Sequence, residues 1–295
     1  MEKRTVAMVK LIVSMLIFGS IGLFVRNIPL ESGMIAFSRA VIGVMFLIGF
    51  LFIKHSKISF AAIKKNLLYL LLSGTAIGFN WILLFESYRY TSVAVSTLCY
   101  YMAPIFLVSL SPLVLKEKLS AKQILCIIAA LVGIALISGI FQIGIPKQGE
   151  LTGVFFGIGA AALYASVILL NKKFTDIAAM ERTVCQLFVA AVVLLPYNIL
   201  TTGLSLASVP PVSLLLLVIV GVVHTGFAYF LYFGSMEHLS GQSIAIASYI
   251  DPVIAVIASA VLLKEPFTVE TLLGAAAILG AAFISEFPSR KGIKK

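Results

Sequence analysis

The sequence predicts an all-α integral membrane protein, with ten transmembrane helices forming two inverted five-helix repeats around a central cavity. Three observations carry this. Of 295 residues, 61% are hydrophobic and 12% charged, against roughly 45–50% and about 25% in soluble chains. Mean hydropathy is +1.10, more apolar surface than a soluble core of this size can hide, so lipid is the solvent for most of the length. The apolar residues fall into ten runs near the ~20 residues that a helix needs to cross the hydrocarbon. Finally, the second half of the chain repeats the first.

The runs cover approximately 7–25, 33–53, 66–86, 93–114, 121–138, 151–170, 182–200, 212–233, 243–263 and 269–286. The first follows a basic head (Met1-Glu2-Lys3-Arg4) like that of a signal peptide. No small-x-small site follows and a second span comes at once, so it reads as an uncleaved helix. The second run carries Arg39. The third carries Gly74 and Gly78-Phe79-Asn80-Trp81, and the fourth Tyr100-Tyr101 and Pro104. The sixth holds Gly153, Gly157 and Tyr164, the seventh Gln186, the eighth His224 and Tyr229, and the ninth Tyr249-Ile250-Asp251-Pro252. Gly74 with Gly78, and Gly153 with Gly157, are small-xxx-small pairs that let helices approach closely.

The formal net charge is +10, with Lys and Arg clustered between the apolar runs. Alternate loops receive nearly all of them; the other face takes only Arg26, Arg89, Lys147 and Lys264, while Arg39 lies inside a span. Basic residues accumulate on the cytoplasmic side, so a plasma-membrane protein with both termini in the cytoplasm is expected. The clusters suit an anionic bilayer surface and lack the aromatic interleaving of a nucleic-acid groove. Expected partners are therefore the lipid bilayer and a small-molecule substrate, with no nucleic acid, in a monomer or homodimer. Cys99, Cys126 and Cys185 all fall inside apolar runs and read as packing residues. No disulfide framework, metal site or cofactor is predicted.

Residues 92–120 align without gaps on residues 240–268, pairing Tyr101 with Tyr249, Pro104 with Pro252, and Leu115-Lys116-Glu117 with Leu263-Lys264-Glu265. Gly78-Phe79 matches Gly226-Phe227, and Ser20 matches Ser166. The repeats are placed at 1–145 and 146–295. Five spans per half is an odd number, so the second half must enter the membrane upside down. Inverted repeats are characteristic of secondary transporters, whose substrate site lies near the midplane between the halves.

With Phe18-Gly19-Ser20 in the first span, Tyr249-Ile250-Asp251-Pro252 in the ninth and Leu263-Lys264-Glu265 after it, the chain resembles the drug/metabolite transporter superfamily, in its EamA-like ten-helix branch. The resemblance covers about residues 8–286. It implies a bundle of two inverted repeats around a cavity, carrying small organic solutes. Position 251 holds Asp where the family pattern has Glu, and its first-half copy is neutral Ala103, so an acidic role would belong to the second half alone.

Polar groups inside lipid are costly and mark function by default. Arg39 is a candidate anchor for an anionic substrate group, because its planar fork suits carboxylate or phosphate; alternatively it pairs with Glu86 or Asp251, or snorkels to the interface. Asn80, Trp81, Tyr101 and Tyr249 are candidate substrate-binding residues of an aromatic cavity, or else members of an interfacial belt. Gln186 aligns with Arg39 in the repeat and reads as its neutral counterpart in the same cavity. Asp251 beside Pro252, and His224, are candidates for proton coupling; pairing or packing is the alternative for each. No Gly-x-x-x-x-Gly-Lys or His-Glu-x-x-His pattern occurs, so an enzyme is not expected. The expected activity is secondary active transport, as export, of amino acids or related amphipathic metabolites by alternating access. The alternatives are efflux of cationic compounds and, from another class, a membrane enzyme acting on lipids.

Inverted topology makes a direct prediction. A cysteine replacing Lys118 is labelled by an impermeant maleimide only from the cytoplasm, and one replacing Pro266 only from outside. Labelling of both from one face would overturn the inversion.

Overall fold

A computed structural model describes residues 2–54, 58–114, 120–137, 148–201, 203–204, 209–236, 238–239, 244 and 247–286. The Lys116-Glu117 copy of the repeated motif, Lys118, Lys147 and the basic C-terminal residues lie outside these. Among the described residues the chain is helical and contains no strand. The helices are α1 (Glu2–Val25), α2 (Ser32–Ile53), α3 (Phe60–Lys65), α4 (Leu67–Tyr90), α5 (Val93–Tyr100), α6 (Ala103–Val114) and α7 (Ala121–Ile137). They continue as α8 (Gln148–Asn171), α9 (Ala179–Thr201), α10 (Pro211–Gly221), a π-helical turn (Val222–Phe227), α11 (Ala228–Met236), α12 (Ile250–Val261) and α13 (Val269–Glu286). Among the described residues, seven helical segments are long and apolar enough to cross a bilayer, and Ala121–Ile137, Ile250–Val261 and Val269–Ile284 are shorter apolar helices.

Local chemistry sets several boundaries. Ser92 caps α5 by accepting from the Val95 amide at 3.0 Å. Ahead of α7, Ser120 and Gln123 form a reciprocal capping box: the Ser120 amide donates to Gln123 Oε1 at 2.8 Å and the Gln123 amide to Ser120 Oγ at 3.3 Å. Pro211 starts α10, where a missing N–H costs nothing. The fourth apolar run, expected as one helix, is two. Pro104 cannot donate to the carbonyl one turn back, and the chain turns at Tyr101-Met102 before α6 begins at Ala103. The eighth run likewise changes from α to π winding at Val222. The short α3, absent from the sequence reading, is capped by Ser59.

Helices from the two halves interleave. α4 lies against α8 and α9, α2 against α9 and the α10–π segment, α1 against α11 and α12, α5 against α8 and α12, and α7 against α13. The set is closed under exchange of halves: α1 packs on the α10–α11 rod and α12, while α8 packs on α4 and the α5–α6 rod. Leu47, Phe85, Leu187, Leu194 and Val220 join α2, α4, α9 and α10 in one buried cluster. A second, including Leu98, Ile105, Ala130 and Ile278, joins α5 and α6 to α7 and α13. Large apolar side chains such as Phe155, Val192, Leu200 and Leu215 remain exposed on the outside, a surface suited to lipid.

Gly74 is where α4 meets α9. A Cβ there would sit 2.6 Å from the Gln186 carbonyl oxygen and 2.6 Å from Val189 Cβ, whereas one on Gly49 would meet nothing within 4 Å. Alanine is better than glycine in a helix by roughly 1 kcal/mol, and overpacking costs about 1–3 kcal/mol. Gly49→Ala should therefore raise or preserve the unfolding temperature in detergent, and Gly74→Ala should lower it. Changes of the same sign at both positions would refute the close-approach account.

Candidate functional site

The centre of the bundle is built by the broken helices. Tyr101 and Tyr249 each stand just before the restart of a helix, three residues ahead of Pro104 and Pro252. Their rings meet at 6.2 Å, and the Tyr101 hydroxyl donates to the Ser248 carbonyl at 2.9 Å, so each break supplies a group to the other. Asp251 follows on the first turn of α12, half-buried beside the Tyr101 hydroxyl and without an ion pair among the described residues. Gly19 lets α1 reach this point, since a Cβ there would lie 2.4 Å from the Asp251 carbonyl oxygen. The neighbours of Gly19 make the other contacts of this turn: Phe18 packs on Tyr229 at 5.5 Å, and Ser20 Oγ lies 3.1 Å from His224 Nε2. The Phe-Gly-Ser triplet thus ties α1 to α11, α12 and the π turn at once.

Aromatic side chains surround the space between. Tyr100 stacks on Tyr164 at 5.3 Å and meets Tyr101 at 6.5 Å, while Tyr249 packs on Phe283 at 5.4 Å. Tyr164 is 40% exposed, and Tyr100, Tyr101, Tyr229 and Tyr249 keep partial exposure. Together they form an aromatic cluster beside the two breaks. Tyr88 and Tyr100 lie within electrostatic reach of both Arg39 and Asp251.

Arg39 is 4% exposed and is bonded to neither Glu86 nor Asp251. Its Nε donates to Thr225 Oγ1 at 2.6 Å, and its guanidinium carbon lies 4.0 Å above the Trp81 ring and 5.8 Å from that of Phe85. Its two Nη nitrogens have no partner among the described residues. Trp81 is buried and serves as the platform for Arg39. Asn80 is buried too, its amide donating to the Ala160 carbonyl at 2.5 Å, a brace between α4 and α8 with Tyr100 beside it. Gln186 does not lie with Arg39 as expected. It donates to Ser73 Oγ and Asn171 Oδ1, both at 2.8 Å, joining α9 to α4 and α8. The sequence reading missed Thr225 and Tyr88; the match of Gly226-Phe227 to Gly78-Phe79 marked their neighbourhood but not their roles.

A polar seal ties α1, α4, α5 and the turn after α12 together. Lys264 adopts φ 53°, a left-handed turn that folds the chain back so that the Glu265 amide donates to the Ser259 carbonyl at 3.2 Å. The Glu265 carboxylate then accepts from the Val93 amide at 2.9 Å at the start of α5, accepts from Ser259 Oγ, and pairs with Arg26 at 3.4 Å. Arg26 also donates to the Tyr88 and Thr91 carbonyls. Arg89 bridges Glu31 at 2.5 Å and Glu86 at 3.4 Å, and Ser32 donates to Glu86 at 2.6 Å. Above this seal lies a vestibule of about 430 Å³ whose lining includes Arg26, Glu31, Arg89, Phe85 and Tyr88; Phe85 also faces Arg39.

A family model described as the EamA-like transporter family matches the chain twice, over residues 5–139 and 151–287. An uncharacterized transporter, YxxF, of Bacillus subtilis is 31% identical, with 87% of this chain and 81% of that one covered. An uncharacterized transporter of Archaeoglobus fulgidus is 26% identical over 93% of this chain and 94% of its own length. The protein PecM of Dickeya dadantii is 27% identical over 72% of each chain. A solved crystal structure shares the fold, with a TM-score of 0.68 and 15% identity over 98% of both chains.

The seal yields a prediction. In a background lacking the three native cysteines, Thr97→Cys, buried beside Tyr88, should react slowly with a maleimide in detergent. Adding Glu265→Gln should speed the reaction about fivefold, as expected for a loss of roughly 1 kcal/mol of closed-state preference. An unchanged rate would show that Glu265 does not hold this face shut.

Proposed function

This chain belongs to the EamA-like transporter family, and from that premise we propose that it exports zwitterionic amphipathic metabolites of the amino-acid type by alternating access. Its ten crossings are α1, α2, α4, the α5–α6 rod, α7, α8, α9, the α10–α11 rod, the segment ending in α12, and α13. They form two inverted repeats divided near residue 145, with both termini in the cytoplasm of a plasma-membrane protein. The double match of one family model, the exchange-symmetric packing and the paired breaks at Tyr101 and Tyr249 support this layout.

The observation that carries the substrate class is a buried guanidinium that has no carboxylate partner among the described residues, near an aromatic cluster that also holds Asp251, which makes no ion pair among them. A charge is costly at such depth, and a solute bearing a carboxylate and an ammonium would complete both sites. The tyrosine faces accept its apolar body. Asp251 and His224 are the groups assigned to proton coupling. On this reading the seal around Glu265 closes the outer face.

Counterflow in proteoliposomes tests the reading, with L-phenylalanine, phenethylamine and 3-phenylpropionate as probes of the two charges. Saturable exchange of the zwitterion in preference to either singly charged analogue is expected. Preference for phenethylamine would favour cation efflux instead. Arg39→Gln should raise the half-saturation concentration for L-phenylalanine at least tenfold, since hydrogen bonds to charged groups contribute about 1.5–3 kcal/mol. Asp251→Asn should abolish pH-driven accumulation and leave exchange intact; full accumulation would leave Asp251 with a structural role.

A further inference from the structure

Arg39 is held more tightly than an anion anchor alone requires. Its Nε is taken by Thr225, and one face of its guanidinium is covered by Trp81. We propose that Thr225 is a positioning residue that presents Arg39 as a fixed fork, open only through its two Nη groups, and so restricts the substrate to solutes with a free oxyanion, here read as a carboxylate. The proposal rests on the reading of Arg39 as the anion anchor and adds the residue that sets its geometry.

Three features fix Thr225 itself. It sits in the π-helical turn, where its hydroxyl donates to the Val220 carbonyl at 3.1 Å, five residues back. With that proton committed, the oxygen's lone pairs face Arg39 Nε. Gly43, one turn along α2 from Arg39, leaves the space that the Thr225 methyl fills: a Cβ on Gly43 would lie 2.6 Å from Thr225 Cγ2. The methyl therefore has one place to go, and the hydroxyl is turned toward Arg39. The preceding residue, His224, anchors the same turn to α1 through Ser20 at 3.1 Å and through its ring, 4.6 Å from that of Phe24. π turns inserted in α-helices recur at functional sites; here the turn delivers two successive side chains to α1 and α2.

The geometry has a chemical consequence. A carboxylate can meet a guanidinium side-on, using Nε and one Nη, or end-on, using both Nη groups. Thr225 occupies the Nε–H, so only the end-on approach remains, with two parallel charge-assisted hydrogen bonds. An ester, an amide or an amine cannot satisfy both Nη groups in this way.

Trp81 is the single tryptophan of the chain, so its fluorescence reports on the guanidinium stacked upon it. The purified full-length protein is compared as wild type, Thr225→Ser, Thr225→Val and Arg39→Gln. Thr225→Val keeps the shape and removes the hydroxyl; it should move the Trp81 emission toward that of Arg39→Gln, while Thr225→Ser keeps the wild-type spectrum. Titration with 3-phenylpropionate, followed by the same signal, should show half-saturation raised about tenfold in Thr225→Val and restored in Thr225→Ser, the loss expected when a hydrogen bond to a charged group is removed. Wild-type emission and half-saturation in Thr225→Val would overturn the positioning role. A wild-type protein indifferent to 3-phenylpropionate, with the emission pattern as expected, would instead overturn the carboxylate reading of Arg39 while upholding its placement by Thr225.

Discussion

Inside hydrocarbon a polar group has no water to turn to, and the architecture follows from that constraint. A proline that frees a carbonyl must do so where protein or an enclosed space can answer. Both breaks, at Tyr101 and Tyr249, therefore face one another at the middle of the bundle, where each is stabilised by a group from the other. The same rule places Arg39 on Trp81 and Thr225, and gives the buried amides of Asn80 and Gln186 partners on neighbouring helices. Polar groups are in this sense the seams of the bundle, and the apolar clusters fill the space between seams.

The seams differ between the two ends. Around the α3–α4 junction, Asn66 exchanges two hydrogen bonds with Thr175, Lys65 pairs with Asp176 at 2.7 Å, and the Ser59 amide donates to Glu181 at 2.6 Å. These bonds bind α3 and α4 to the α8–α9 connection and make one body of them. At the other end the seal joins α1, α4, α5 and the turn after α12 largely through Arg26, Glu265 and Arg89. A few long side chains can let go without disturbing a core. A close-packed helix pair such as α4 with α9 cannot. On the alternating-access reading, the elements that move and those that stay differ in the kind of contact that holds them.

The apolar runs were legible in the sequence because hydropathy registers the solvent of a segment, and all ten fall on helical segments among the described residues. The double match of one family model was foreshadowed in the sequence, where Tyr101 and Pro104 have copies in Tyr249 and Pro252. Pairings across the bundle were not. Gln186 aligns with Arg39 yet lies with Ser73 and Asn171, a placement that alignment of the halves does not carry. Thr225 gave no signal, because a threonine in an apolar run is ordinary until its backbone winding is known. The split of the fourth run was signalled by Pro104, whereas the π turn after Gly221 has no comparable mark.

On the two-repeat reading, the anchor is divided between the copies: Arg39 comes from the first half and its clamp, Thr225, from the second. The acidic group is divided the other way, with Asp251 in the second half opposite neutral Ala103 in the first. Neither half therefore contains a complete site, although each contains a complete scaffold. A pair of identical ancestral halves would have held every charged group twice, related by the symmetry axis, and could have bound a solute in two equivalent orientations. With each charge present in one copy alone, a single orientation remains. The fused gene gains a head and a tail for its cargo that no symmetric assembly of separate halves could distinguish.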